Sequence, residues 1–344
     1  MQLAFNAKAR IVSVKELPFE EQNIAERPIK QRRIEGFDAL RVFALLLVLT
    51  SHLQSLWGSS SAWTKIYGLD IGQIGVSIFL AISGALIGGD SRTPSEWLFA
   101  RLMRIYPAYW IVTVVAFAAT ALTGYKQIEP MQFLWQMTGQ GLYFMTDMVN
   151  VATWFIGLLI ALYFSIYLFK RLGRMIEGII VCSLICLGIV MINEYESYFA
   201  HALAFYVSVG FSKSKRWEQL RWPLIGLLIA LVISLAIPNR ILGYPAIGLL
   251  GVYAAQFVDK VPNLIKLFAR YSYEFYLMHG IFLVGAKKLL GENTRTSLSV
   301  AMIVLSIATT WIAAAVLHEI LRWCESKWFV RSRSKHVSFE SEKP

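Results

Sequence analysis

The chain has 344 residues, 56% of them hydrophobic and 16% charged, with a mean hydropathy of +0.53 and a net charge of +11. That balance excludes an ordinary soluble domain of this length and marks an all-α, polytopic membrane protein. Apolar segments long enough to cross a hydrocarbon core, about 20 residues each, start near Phe37, Gly72, Tyr106, Thr153, Ile176, Glu196, Trp222, Ile241, Ser272 and Ser297. The expectation is therefore a bundle of about ten transmembrane helices.

Residues 1–35 mix charges with few aromatics and read as a cytosolic arm, disordered or surface-lying. They lack the apolar core of a cleavable signal, so the first spanning helix is expected to act as the insertion signal. Residues 36–325 form the membrane domain, and 326–344 a cytosolic tail of the same character as the arm. With the N-terminus inside, the inner segments hold 26 Lys and Arg, the outer loops six, and Arg41 lies within the first helix. This asymmetry predicts two cytosolic termini and an even number of helices. The positive charge is then topology, and no nucleic-acid partner is needed to explain it.

The first apolar helix carries Arg41 near its start and His52 near its end. Ionisable side chains are expensive in lipid, so two within one spanning segment form a functional-site hypothesis. Arg41, Ala44, Val48 and His52 recur at steps of three or four and share one helix face. His52 lies about 15 residues in, roughly 22 Å from the cytosolic end at 1.5 Å per residue. In a core about 30 Å thick that is the outer half, where burial favours an uncharged imidazole able to accept a proton. The bland alternative is a structural His bonded to a carbonyl or to Thr50 or Ser51.

The second segment opens with Gly75-Val76-Ser77-Ile78-Phe79 and continues to Ser83-Gly84, small residues that favour close helix packing. Thr93-Pro94-Ser95-Glu96 reads as a helix start with a capping box. The helix it opens is expected to lie on the cytosolic surface as far as Tyr106-Pro107, where the third span begins. Arg101 and Arg104, three apart, share a face and present planar forks that suit phosphate oxygens. Positive-inside anchoring accounts for such a pair equally well. The loop from Gly124 to Val151 is expected to face outward, and Trp154 and Tyr163 to belong to interfacial aromatic belts.

Ser272, Tyr276 and His279 fall on one face of the ninth segment. Helix-to-helix hydrogen bonding and a secondary functional site both fit that stripe. His201 and His318, each single and near a helix end, are expected to snorkel to an interface. Cys182, Cys186 and Cys324 show neither a disulfide framework nor metal-ligand spacing.

Together these blocks resemble the acyltransferase 3 family, multi-spanning membrane enzymes that acylate bacterial surface glycans and related acceptors. The resemblance rests on Phe37-Asp38-Ala39-Leu40-Arg41 with Ala44, Val48 and His52, on Gly75-Val76 with Phe79 and Ser83-Gly84, and on Arg101-Leu102-Met103-Arg104-Ile105-Tyr106-Pro107. Thr153-Trp154-Phe155-Ile156 and Ser272-Tyr273-Glu274-Phe275-Tyr276-Leu277-Met278-His279 complete it, in family order, between about residues 34 and 325. The resemblance implies a ten-helix bundle, acyl-CoA (acetyl-CoA by family habit) as donor, and a hydroxyl of a carbohydrate or glycolipid as acceptor. A separate periplasmic partner is compatible with it. Carried over by position, His52 is the essential histidine and Arg41 its companion. Arg101 and Arg104, with Tyr106, meet the donor. The chain departs from the family at Ser77, where many members have an acidic residue, and at Leu80-Ala81, where Phe-Val is common. Asp70 is a substitute for the missing acid. The extra periplasmic hydrolase-like domain of many members is not expected, for want of length.

An inner Arg pair and an outer His suit a donor from the cytosol, an acceptor from outside, and His52 as general base. The competing class is a transporter or flippase for a glycan or lipid-linked substrate. Its mark, a matched pair of Gly- or Pro-interrupted segments in two halves, is not seen.

Overall fold

The computed structural model describes residues 34–57, 65–87, 90, 92–140, 148–150, 152–192, 197–213, 226, 240–290 and 296–340. From residue 34 onward the chain forms one compact unit. Its helices are α1 (Gly36–Trp57), α2 (Ile71–Ala85), α3 (Pro94–Thr123), α4 (Pro130–Met137), α5 (Thr153–Arg171), α6 (Met175–Ile192), α7 (Ser197–Lys213), α8 (Gly243–Ala255), α9 (Asn263–Arg270), α10 (Ser272–Leu290) and α11 (Thr296–Glu340). A two-residue antiparallel ladder, Lys65–Ile66 on Leu69–Asp70, links α1 to α2.

The segments predicted near Phe37, Gly72, Thr153, Ile176, Glu196, Ile241, Ser272 and Ser297 correspond to α1, α2, α5, α6, α7, α8, α10 and α11. The segment near Trp222 and the arm before Ile34 lie outside the described residues. Residues 36–57, 94–123, 153–171 and 298–327 are helices long and apolar enough to cross a membrane. Shorter apolar helices run over Ile71–Ala85, Met175–Met191, Ser197–Phe211 and Gly243–Ala255.

The short α2 is the hub. Twelve of its 15 residues are buried, as expected of a helix that is apolar all round and enclosed by neighbours. It packs against α1, α7 and α8. Gly75 permits this approach, because a Cβ there would lie 2.5 Å from the Ala44 carbonyl oxygen and 2.9 Å from Val48 Cγ2. Ala44 and Val48 are buried against it, which puts the predicted polar face of α1 inside the bundle. The perimeter is apolar: Phe43 and Leu46 of α1, Ile180 and Leu184 of α6, and Val304 and Ile312 of α11 are all exposed. That is the pattern of lipid-facing surfaces.

Two expectations, the surface helix and the disordered tail, need correction, and the loop between them takes a definite form. Residues 94–106 are not a separate surface helix: α3 is continuous for 30 residues through Pro107. Thr93 and Glu96 do form the capping box, but Trp97, Leu98 and Ile105 are buried in the core, so the first turns join the bundle. The loop after Gly124 folds back along α3 through α4. Tyr106 Oη donates to the Thr138 carbonyl at 2.9 Å, Trp110 Nε1 to the Met137 carbonyl at 2.9 Å, and Tyr109 to the Gln136 carbonyl. These donors meet carbonyls of the last turn of α4 and the residue after it, where helical partners run out. The last helix runs on to Glu340, so the tail begins as helix.

Candidate active site

α1 delivers His52 to the space beside α10. The His52 and His279 rings lie 5.0 Å apart between centroids, tilted by 58°. His52 is partly exposed, whereas His279 is buried. His279 Nδ1 lies 2.6 Å from the Tyr276 carbonyl oxygen, one turn earlier on α10. A carbonyl only accepts, so Nδ1 carries the hydrogen and Nε2 holds the lone pair. That Nε2 is buried and has no hydrogen-bond partner among the described residues. Phe275 stacks parallel to the His279 ring at 6.3 Å, and Tyr276 packs at 5.6 Å. Phe79 of α2 and Phe155 of α5 pack on Tyr276 at 6.0 and 5.2 Å. Aromatic rings of α10 thus pack directly on His279, and those of α2 and α5 pack behind them on Tyr276.

Asp70 stands on the other flank. It caps α2 by accepting from the Gln73 N–H at 3.1 Å, and its carboxylate also accepts from the Ser51 hydroxyl at 3.3 Å. Its own N–H donates to Tyr244 Oη at 3.0 Å. Through Ser51, the residue before His52, Asp70 is tied to the far end of α1. Ser77, where an acid is common in the family resembled, is fully buried, and its carbonyl oxygen lies 2.9 Å from where a Cβ on Gly248 would stand.

A second cluster forms where α3 begins and α5 ends. Arg101 Nη2 donates to the Leu86 carbonyl at 3.2 Å and lies 3.8 Å from the Asp90 carboxylate. Its guanidinium sits 5.9 Å from both the Trp97 and Tyr163 ring centroids. Lys170 joins from α5, 3.2 Å from the Asp90 carbonyl and 4.9 Å from the centre of the Trp97 ring. Arg92 grips Asp90 at 2.6 Å and, by that hydrogen bond, holds its carboxyl below the ordinary value.

A family model described as an acyltransferase domain matches residues 34–318, most of the chain. The chain belongs to the acyltransferase 3 family. Comparison with curated proteins and with solved structures returned no match. Membership makes it an integral membrane acyltransferase.

Within that family frame, the structure joins His52 to His279 and separates other predicted partners. Arg41 is tied to buried Asp38 at 2.9 Å, three helical turns from His52, or about 16 Å along α1. Arg101 and Arg104 part company: Arg101 is held inside, while Arg104 is exposed and makes no hydrogen bond or ion pair among the described residues. Tyr106 commits its hydroxyl to Thr138 and its ring to Trp110 at 5.0 Å. Ser272 bonds the Ala269 carbonyl at 2.8 Å, an end-of-helix contact away from the imidazoles. Tyr163 is buried against Trp97 rather than belted at an interface.

Neither lone histidine snorkels. His201 is fully buried and bonds Gln73 at 2.7 Å; His318 pairs with buried Glu274 at 2.9 Å. Glu274 escaped the sequence reading, although the rule that singled out His52, an ionisable group in an apolar segment, applies to it equally. Asn150 escaped too: its Nδ2 donates to the Leu277 carbonyl at 3.1 Å, pinning the loop before α5 two residues from His279. No local pattern signals that contact.

Proposed function

We propose that the chain is an O-acyltransferase that moves an acyl group, acetyl by family habit, from cytosolic acyl-CoA to a hydroxyl of an extracytoplasmic carbohydrate or glycolipid. The observation that carries this reading is the imidazole pair near the far end of α1, in a different part of the bundle from the Arg101 and Lys170 cluster. The 26-to-6 division of Lys and Arg puts that cluster and both termini on the cytosolic side of an inner membrane with about ten spans.

His52 acts as general base. Its ring nitrogen takes the proton of the acceptor hydroxyl as the oxygen attacks the thioester carbonyl. The C–S bond then breaks, and the coenzyme thiolate takes the proton back from His52. Asp70, bonded to Ser51 beside His52, supplies the negative charge that supports the imidazolium formed in between. Arg101 and Lys170, with Arg104 exposed beside them, hold the donor's phosphates at the cytosolic end.

The test compares a strain deleted for the gene with the same strain carrying wild type or His52→Gln. Surface polysaccharide is examined by mass spectrometry, and membranes are supplied with acetyl-CoA labelled in the acetyl group. General-base catalysis contributes about 10²- to 10⁴-fold, so His52→Gln abolishes detectable acylation while the protein accumulates normally. Retention of more than about a tenth of the activity refutes the assignment.

A further inference from the structure

We propose that His279 is a positioning residue that selects the tautomer of His52. The inference rests on the reading of His52 as the base, and it adds the atom that keeps the base correctly protonated.

A neutral imidazole is a base at only one of its two nitrogens, and which one is set by the bond the other makes. Ser51 beside His52 bonds Asp70, and Ser55 bonds the His52 backbone carbonyl at 2.9 Å, so neither hydroxyl is directed at the His52 ring. His279 meets the requirement. Its Nδ1–H is spent on the Tyr276 carbonyl, which obliges Nε2 to be an acceptor. That acceptor is buried with no partner among the described residues, a state that ordinarily destabilises a protein until something donates to it. The His52 ring lies beside it, its centroid 5.0 Å from that of His279. At this separation, rotation about χ2 of His52 brings one ring N–H to hydrogen-bond distance of His279 Nε2.

The chain then runs from the His52 N–H to His279 Nε2, and from His279 Nδ1–H to the Tyr276 carbonyl. The remaining nitrogen of His52 carries the lone pair and points to the exposed side, where an acceptor hydroxyl arrives. When His52 takes up the proton, its N–H to His279 becomes a charge-assisted bond and strengthens. His279 itself neither gains nor loses a proton. Phe275, stacked on its face, and Asn150, bonded to the Leu277 carbonyl, hold the segment that carries it.

The experiment uses the full-length protein in nanodiscs with ¹⁵N-labelled histidine, the His52 resonances being assigned by their loss in His52→Gln. In the resting wild type, His52 shows one tautomer and His279 the Nδ1–H form. His279→Leu, which keeps bulk and removes the acceptor, gives a mixture of tautomers at His52. It also lowers kcat roughly 10- to 10³-fold with the KM for acetyl-CoA unchanged. His279→Gln, which restores an acceptor, recovers the single tautomer and part of kcat. A mixed population at His52 in the wild type overturns the proposal without recourse to any variant. So does an unchanged tautomer, or an unchanged kcat, in His279→Leu. The resting spectrum involves no turnover, so a failure of His52 as the base, read from His52→Gln activity, is distinguishable from a failure of His279 to orient it.

Discussion

Replacement of Gly84 by Ala tests the packing that holds the hub helix. A Cβ on Gly84 would lie 2.3 Å from the Phe205 carbonyl oxygen of α7 and 3.1 Å from Ser208 Cβ. Ordinary contact begins at 3.4 Å, and a backbone carbonyl in mid-helix cannot swing aside, so α2 and α7 must separate by about 1 Å. The Ser208 hydroxyl, fully buried, donates to the Ala81 carbonyl across the same contact at 2.7 Å. Separation on that scale stretches this bond past useful length. Overpacking costs about 1–3 kcal/mol and an unsatisfied buried hydroxyl another 1–3, against about 1 kcal/mol regained from removing a helical glycine. The net is a loss of about 1–5 kcal/mol, read as a lowering of the thermal midpoint by several degrees in detergent or nanodiscs. Gly188 of α6 is the control, since a Cβ there meets nothing within 4 Å; Gly188→Ala is neutral or slightly stabilising. Equal midpoints for Gly84→Ala and wild type would refute the reasoning.

Arg101→Lys keeps the charge but loses the fork and the bond to the Leu86 carbonyl, so acetyl-CoA binding to the purified protein, measured by calorimetry, weakens about tenfold. Arg104→Lys, at an exposed site, changes binding less than threefold or so; unchanged binding in the double variant would leave both as topology anchors. Asp90 carries a pH signature. Its carboxyl is held below the ordinary 3.8 by Arg92, so its contribution is complete above that value and is lost as pH falls through the lowered folded-state value. Asp90→Asn therefore flattens the acid limb of thermal stability by a small amount, as befits a partly exposed pair; identical acid limbs would show the pair to be idle.

Helix existence was legible because composition and segment length are strong signals, and the intramembrane polar residues were legible because lipid makes them costly. Partnership was not. Arg41 and His52 share a helix face, but a face is a direction without a distance, and three turns separate them. His279 lies 227 positions from His52 in the chain, and only packing of α10 on α1 brings the two rings together. The same limit explains the arginines. Spacing of three predicts a common side but cannot tell that Trp97 and Tyr163 draw Arg101 inward while Arg104 stays out. The re-entry of α4 was invisible for another reason: it is held by hydroxyl and indole donors of α3 reaching backbone carbonyls, and carbonyls leave no trace in sequence.

The placement of the two clusters constrains the proposed chemistry more than either cluster does alone. Arg101 lies seven residues into α3, about 10 Å from its start, and His52 sixteen residues into α1, about 24 Å from its start. If both starts face the cytosol, as in the proposed topology, the proposed site for the donor's charged end lies near one face and the proposed base toward the other. A thioester on a long flexible arm bridges that interval, whereas the acceptor hydroxyl has only to reach the exposed edge of His52. On this proposal a sugar too polar to enter lipid is acylated without crossing the membrane, and the highly charged coenzyme does not cross it either. An enzyme with donor and acceptor on the same side has no need of a base so far along α1 from its first turn.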